Sequence, residues 1–255
     1  ALGSGMDNLK RYPKNWDFNN GGIELKPEWV HSLYRPHIDK LGPSHQFKWN
    51  SQGRWIDLSC QMALDAKCLT EVAKLIDLKE ETRYYKNKYH CLADTINELC
   101  WSEDYQFYFD LGFGEKITRY HIGSYWALLA GIVPESKKEG FISHLSNTKK
   151  FKTQVPVPCL AVDDPDFSSD GKYWRGSSWH PTTYMVIKGL EQNGFNEKAK
   201  EISIKTVAAN FKLFKKTKTF WENLSPNKAK PGNPSQPDFC GWAGLSSVAI
   251  PREFL

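Results

Sequence analysis

The stretch DLSCQMALDAKCLTEVAKLI, residues 57–76, places Leu58, Met62, Ala66, Leu69, Ala73 and Ile76 at spacings of four and three. That recurrence follows the turn of an α-helix and lines one face of an amphipathic one. The same pattern continues outward along the chain. Tyr85, Tyr89, Leu92, Ile96 and Leu99 mark a second helix, Phe141, Ile142 and Leu145 a short one, and Ala199, Ile202, Thr206, Ala209 and Leu213 a long one. Ile122 to Val133 is apolar nearly all round, which suits a helix buried on several sides and closed by Pro134. Tyr184, Ile187 and Leu190 lead to a helix that stops at Asn193-Gly194, and the small apolar tail from Asp238 to Ile250 suits a last one. No segment sustains the period-two alternation of a half-buried strand, so the expected fold is all-α, with roughly six or seven helices. Asp57, at the head of the first helix, is expected to be its N-cap.

Composition excludes several classes of function. The 34 Lys and Arg outnumber the 29 Asp and Glu, but they are scattered, with only short runs such as Lys149-Lys150 and Lys215-Lys216. A diffuse excess is no nucleic-acid footprint, and no nucleic-acid partner is expected. The longest apolar run, Tyr125 to Val133, falls far short of the ~20 residues that span a bilayer, so a soluble chain with no membrane partner is expected. Cysteines at 60, 68, 91, 100, 159 and 240 lack CxxC spacing and read as mostly buried free thiols, which leans toward a reducing compartment. His121 and His180 have no partner at metal-ligand spacing, and Asp163-Asp164-Pro165-Asp166 reads as a solvated Asp-Pro turn rather than a calcium loop. Neither a metal nor a cofactor is expected.

Chemistry concentrates in long irregular stretches, residues 1–55 and 147–181, and in the segment after Phe220. SGMDNLKRYPKNWDF (4–18), GKYWRGSSWHPTTY (171–184) and FWENLSPNK (220–228) each set carboxylates or other polar groups between large aromatics. Flat amphipathic rings flanking hydrogen-bonding groups suit a polyhydroxylated ligand, so a carbohydrate is the expected partner. Asp7 and Glu222 are the natural pair for glycosidic cleavage, one protonating the leaving oxygen and the other activating water. Two blander readings compete. ALGSGMDN at the start also resembles the scar of an expression tag before Met6, which would make Asp7 a frayed surface carboxylate. Trp221-Glu222 also reads as a surface carboxylate beside a core indole.

Tyr173-Trp174-Arg175-Gly176-Ser177-Ser178-Trp179-His180-Pro181, with Tyr184 and Gly189-Leu190 after it, resembles the YWRGPxWxPxNY element of glycoside hydrolase family 63. Other elements agree in order. Ser4 to Asn8 with Arg11 resembles the family's general-acid loop, and Trp55 to Leu58 resembles a helix start shared with trehalases. Trp101 to Asp104 leading to Phe107 to Asp110 resembles WxEExGFFYD, and Tyr125 to Gly131 resembles an apolar LxAGI helix. Phe220 to Asn223 resembles the general-base segment, and Phe239 to Leu245 the closing FxGWSGL.

The resemblance implies an (α/α)6 barrel of which residues 1–255 form the C-terminal half, with the N-terminal half of the barrel as an implied partner. It implies hydrolysis of an α-glycosidic bond with inversion, Asp7 as general acid and Glu222 as general base, the two carboxyls ~6.5 to 9.5 Å apart. Asn8, Arg11, Trp16, Trp174, Arg175, Gly176, Trp179 and Trp221 are then the expected substrate-binding residues. Three positions depart from the family pattern: Lys10 and Ser177 stand where proline is usual, and Thr183 where asparagine is. A trehalase-like enzyme and a carbohydrate-binding barrel without catalysis are the alternative functions.

Overall fold

Helix α1 (Ile56–Leu75) starts after Trp55, which has extended backbone but a side chain with no oxygen to offer the first turn. A helix start of this kind needs an acceptor from elsewhere. Asp110 supplies it: its Oδ1 lies 2.8 Å from the Ile56 amide, and the residue is 1% exposed. The expected N-cap, Asp57, is instead the second residue of the helix, where its carboxylate lies at the positive end of the helix dipole and accepts from the Leu58 amide at 2.8 Å. Asp110 reaches Ile56 because the strand leading into α1 lies beside its own strand, with Gly53 opposite Gly112 and Arg54 opposite Leu111.

The computed structural model describes residues 55–112 and 115–255, and the backbone of three strands before them, β1 (Trp16–Asp17), β2 (Gly22–Ile23) and β3 (Gly53–Arg54). The chain divides into two compact units, residues 1–118 and 119–255. In the first, α1 packs along α2 (Lys79–Leu99). Between them Asp77 takes a left-handed conformation (φ 55°), and the Leu78 amide closes on the Ala73 carbonyl at 2.9 Å, which ends α1. The buried side of α1 carries Ile56, Cys60, Met62, Ala63, Ala66, Thr70 and Ala73, of which Met62, Ala66 and Ala73 are as expected. The helical period is as expected, but the face is turned, since Leu58 and Leu69 are only half-buried and Ile76 is exposed. In α2 the expected Tyr85, Leu92 and Ile96 are buried.

Short antiparallel pairs complete this unit. Strand β4 (Trp101–Ser102) pairs with β5 (Phe107–Tyr108), and β6 (Asp110–Gly112) lies between β3 and β7 (Glu115–Ile117). Two or three residues are too few to show alternation, which is why periodicity missed them while the all-α class stands.

In residues 119–255 the apolar run from Ile122 forms a 3-10 turn and then α3 (Trp126–Ala130). It stops at Gly131, not at Pro134, because Gly131 adopts φ 73°, a left-handed C-terminal cap that glycine takes without strain. Tyr125 stacks on Phe141 of α4 (Glu135–Ser143), ring centroids 4.5 Å apart. Helix α5 (His180–Gln192) packs on both α3 and α6 (Asn196–Thr217). Gly189 lets α5 approach α3, for a Cβ there would lie 3.0 Å from that of Leu128. Leu128 and Leu190 are fully buried at this seam, each contributing about 1.5–3 kcal/mol. The tail enters a helical stretch with a π-turn (Leu245–Ala249) and ends in α7 (Ile250–Phe254).

Two further expectations are corrected. Cys60, Cys100 and Cys159 are buried, but Cys68, Cys91 and Cys240 are exposed, so only half of the thiols lie inside. The acidic turn is not simply solvated: Arg119 holds both Asp164 and Asp166, and Asp164 is largely buried in the pairing.

Asp110→Ala leaves the Ile56 amide without its acceptor in a buried setting, and should destabilise the protein by about 1–3 kcal/mol in a urea unfolding midpoint.

Candidate active site

Residues 171–179 form a loop stitched to itself. Gly171 and Tyr173 both have positive φ, 68° and 50°, and the Ser177 hydroxyl donates to the Gly171 carbonyl at 2.6 Å. Gly176, at φ 141°, lies so close to the chain that a Cβ would fall 2.5 Å from the Ser168 carbonyl. Its substrate-binding expectation becomes a steric one: only glycine lets this turn close. Beneath the loop, the Cys159 thiol accepts from the Gly176 amide at 3.2 Å, and burial pushes its pKa up to about 12, so it is an inert packing group.

The loop runs into β8 (Ser178–Trp179), which pairs antiparallel with β9 (Asn223–Leu224): Ser178 opposite Leu224, Trp179 opposite Asn223. This register brings the Tyr-Trp-Arg-Gly loop beside Glu222. Glu222 is 8% exposed, and its Oε1 lies 3.5 Å from the Tyr173 hydroxyl. Burial, and then the Glu222 charge, push the Tyr173 pKa up, so the phenol stays a proton donor facing the carboxylate. The Glu222 backbone is held on both sides: its amide donates to the Gln236 carbonyl at 2.9 Å, and its carbonyl accepts from Trp242 Nε1 at 3.0 Å.

An aromatic wall stands next to the carboxylate. Trp174 stacks on Trp179 with centroids 4.2 Å apart and planes 9° off parallel, and Tyr173 meets the Trp179 ring edge-on at 4.8 Å. Trp242 meets the Trp179 ring at 5.9 Å and Phe239 at 4.9 Å. Trp179, expected to bind substrate, is only 1% exposed under this covering. It therefore supports Trp174, the half-buried member of the stack, rather than meeting a ligand itself. Trp221 packs against the cluster of Val155, Ala209, Leu213 and Leu224, with its Nε1 donating to Thr217 Oγ1 at 3.1 Å. Arg175 is half-buried, and its carbonyl accepts from the Ser168 amide.

Glu222, Trp174, Arg175, Gly176, Trp179 and Trp221 thus fall in one part of residues 119–255. Asp7, Asn8 and Arg11 lie outside the described residues, as does the Trp16 side chain, of which β1 gives only the backbone. Sequence reading passed over Tyr173, Trp242 and His180 as site residues. His180 was weighed only as a metal ligand, yet it is 1% exposed with both ring nitrogens engaged: Nε2 lies 2.9 Å from the Trp221 carbonyl and Nδ1 2.7 Å from Ser246 Oγ. A histidine between Trp179 and Pro181 at a helix start is the available signal.

These elements set a buried carboxylate beside an aromatic wall, and comparison with known proteins gives the family. The family model of the mannosylglycerate hydrolase MGH1-like glycoside hydrolase domain matches residues 27–243. The chain belongs to that family. An uncharacterized protein of Borreliella burgdorferi is 34% identical over 151 residues, 59% of this chain and 32% of that protein. The crystal structure of the family 63 mannosylglycerate hydrolase from Thermus thermophilus in complex with glucose superposes with TM-score 0.65 at 19% identity, covering 86% of this chain and 49% of that one. The neutral trehalase of Saccharomyces cerevisiae gives TM-score 0.67 at 13% identity, covering 80% and 38%. The fold is therefore that of the (α/α)6 enzymes. The chain spans about a third of the first relative and half or less of these two structures.

Burial lowers the His180 pKa from 6.5 to about 4, so between those values the unfolded chain takes a proton that the folded protein refuses. Stability should therefore fall as pH drops from 6.5 to 4, by about 3 kcal/mol from this group. Thermal unfolding across that range should show the slope, and it should flatten in His180→Gln.

Proposed function

We propose that this chain carries the catalytic machinery of a glycoside hydrolase that cleaves an α-glycosidic bond with inversion, Glu222 acting as general base. The observation that carries the reading is the setting of Glu222: a buried carboxylate, its backbone held from both sides, facing a phenol and an aromatic wall. A general base needs this fixity, because its oxygen must stay within hydrogen-bond reach of one water. In the reaction Glu222 takes a proton from that water as it attacks the anomeric carbon. Asp7 gives a proton to the leaving oxygen, and inversion of this kind calls for ~6.5 to 9.5 Å between acid and base carboxyls to leave room for the water.

Trp174 supplies the stacking surface, with Arg175, Asn8, Arg11 and Trp16 contributing to substrate binding and Trp221 backing the base. In this reading the chain corresponds to the C-terminal half of a catalytic barrel. Family membership supports a carbohydrate substrate.

The test is fluoride release from α-glucosyl and α-mannosyl fluoride by the full-length protein, with the product anomer followed by proton NMR. Glu222→Gln should lower turnover of the fluoride by at least about a hundredfold, and Asp7→Asn should lower by as much the turnover of an α-glycoside with an alcohol leaving group, which needs the proton. The first product should be the β-anomer. Equal turnover in all three proteins would overturn the assignment. Absence of turnover with retained glycan binding would instead favour a carbohydrate-binding barrel, and preference for trehalose a trehalase-like enzyme.

A further inference from the structure

Glu222 is the third of a run of residues in which one peptide group is gripped at both ends. The plane between Trp221 and Glu222 presents a carbonyl on one side and an amide on the other. His180 Nε2 lies 2.9 Å from that carbonyl, and the amide donates to the Gln236 carbonyl at 2.9 Å. A carbonyl oxygen only accepts, so Nε2 carries the imidazole proton. Nδ1 is then a bare acceptor, and Ser246 Oγ, 2.7 Å away and fully buried, donates to it. Asn210 of α6 approaches the same nitrogen at 3.5 Å.

We infer that His180 is a positioning residue for the catalytic base, acting through the Trp221–Glu222 peptide group, with the Trp221 carbonyl selecting the tautomer and Ser246 donating to the nitrogen left bare. This role rests on reading Glu222 as the base; the hold of His180 on the peptide group stands on geometry alone. The pairing of Trp179 with Asn223 sets His180 across from Glu222 in register, at the first residue of α5. With the peptide plane fixed at its carbonyl and its amide, rotation about the backbone is suppressed and the Cα–Cβ direction of Glu222 is set. A displacement of the base by about 1 Å is enough to cost a factor of about a hundred in rate. Ser246 belongs to the π-turn at Leu245–Ala249, so the irregularity of the last helix is what brings its hydroxyl to the imidazole.

The neutral imidazole is also the form that burial favours: the low His180 pKa keeps the ring uncharged over the range in which such enzymes work. An apolar side chain of the same size would fill the space but leave the carbonyl without a donor. Glutamine keeps an N–H at nearly the distance of Nε2, so it separates hydrogen bonding from packing.

The experiment compares wild type, His180→Met, His180→Gln and Ser246→Ala in the full-length protein. It measures kcat and KM on the glycosyl fluoride that wild type turns over, and the amide 15N resonance of residue 222. His180→Met should lower kcat about tenfold to a hundredfold with KM within about twofold. His180→Gln should recover kcat to within about threefold, and Ser246→Ala should fall between. The residue 222 amide resonance should move in His180→Met and stay near its wild-type position in His180→Gln.

Equal losses in the Met and Gln variants, or a loss carried by KM, would overturn the inference, as would an unmoved amide in His180→Met. If His180→Met fails to fold, Ser246→Ala decides by the same two readouts. Full turnover in Glu222→Gln would sink the base assignment instead, and the amide resonance would still report whether His180 holds the peptide.

Discussion

A main-chain ladder two residues long, Ser178 with Leu224 and Trp179 with Asn223, holds together everything that makes this region a site. On one side of it hangs the Tyr-Trp-Arg-Gly loop, on the other Glu222. Side chains in a strand alternate between faces, so a slip of one residue would turn Glu222 away from Tyr173. The ladder is short, and its register is fixed by its neighbours rather than by its own bonds. Chain 230–236 lies along β9, where the Gly232 amide donates to the Asn223 carbonyl at 3.2 Å. A Cβ on Gly232 would fall 1.9 Å from Asn223 Oδ1 and 2.6 Å from Ser177 Oγ, so glycine is required where these three strips meet.

Behind the ladder the interior is polar by design of its contacts. His180, Ser246 and Asn210 lie buried where α5, α6 and the π-turn converge. A buried polar group without a partner costs more than an apolar one in the same place, so such a cluster tolerates few arrangements. That intolerance is useful beside a carboxylate that must hold one orientation. Apolar packing alone lets side chains exchange rotamers, whereas a hydrogen-bonded imidazole holds the peptide group that precedes Glu222.

The departures from the family pattern make sense in the same terms. Ser177 stands where proline is usual, and its hydroxyl ties the loop to the Gly171 carbonyl, restoring by a hydrogen bond the stiffness a ring would give. Thr183 is buried on α5, where a larger amide would need partners of its own. The Arg119 clamp on Asp164 and Asp166 shapes the long loop that precedes the site, with charges neutralised in place. The wall of Trp174, Trp179 and Trp242 shows how so many tryptophans are used: some rings face outward only because others lie sealed behind them.

The helices were legible because a 3.6-residue period writes itself into spacing, and Ala199, Ile202, Thr206, Ala209 and Leu213 of α6 are buried as their spacing says. The order of the Tyr-Trp-Arg-Gly and Trp-Glu segments was legible as well, but their strand pairing was not. Local sequence could not say that Asp110 caps α1 from 54 residues away, that Gly131 ends α3 before Pro134, or that α1 turns its small side chains inward. Nor could it separate Trp174 from Trp179, since the two indoles differ only in which one the fold covers. Sequence by itself determined the all-α class and the order of the motifs. Tertiary structure alone decided which aromatic is exposed and which histidine nitrogen holds the proton, because both depend on neighbours distant in the chain and close in space.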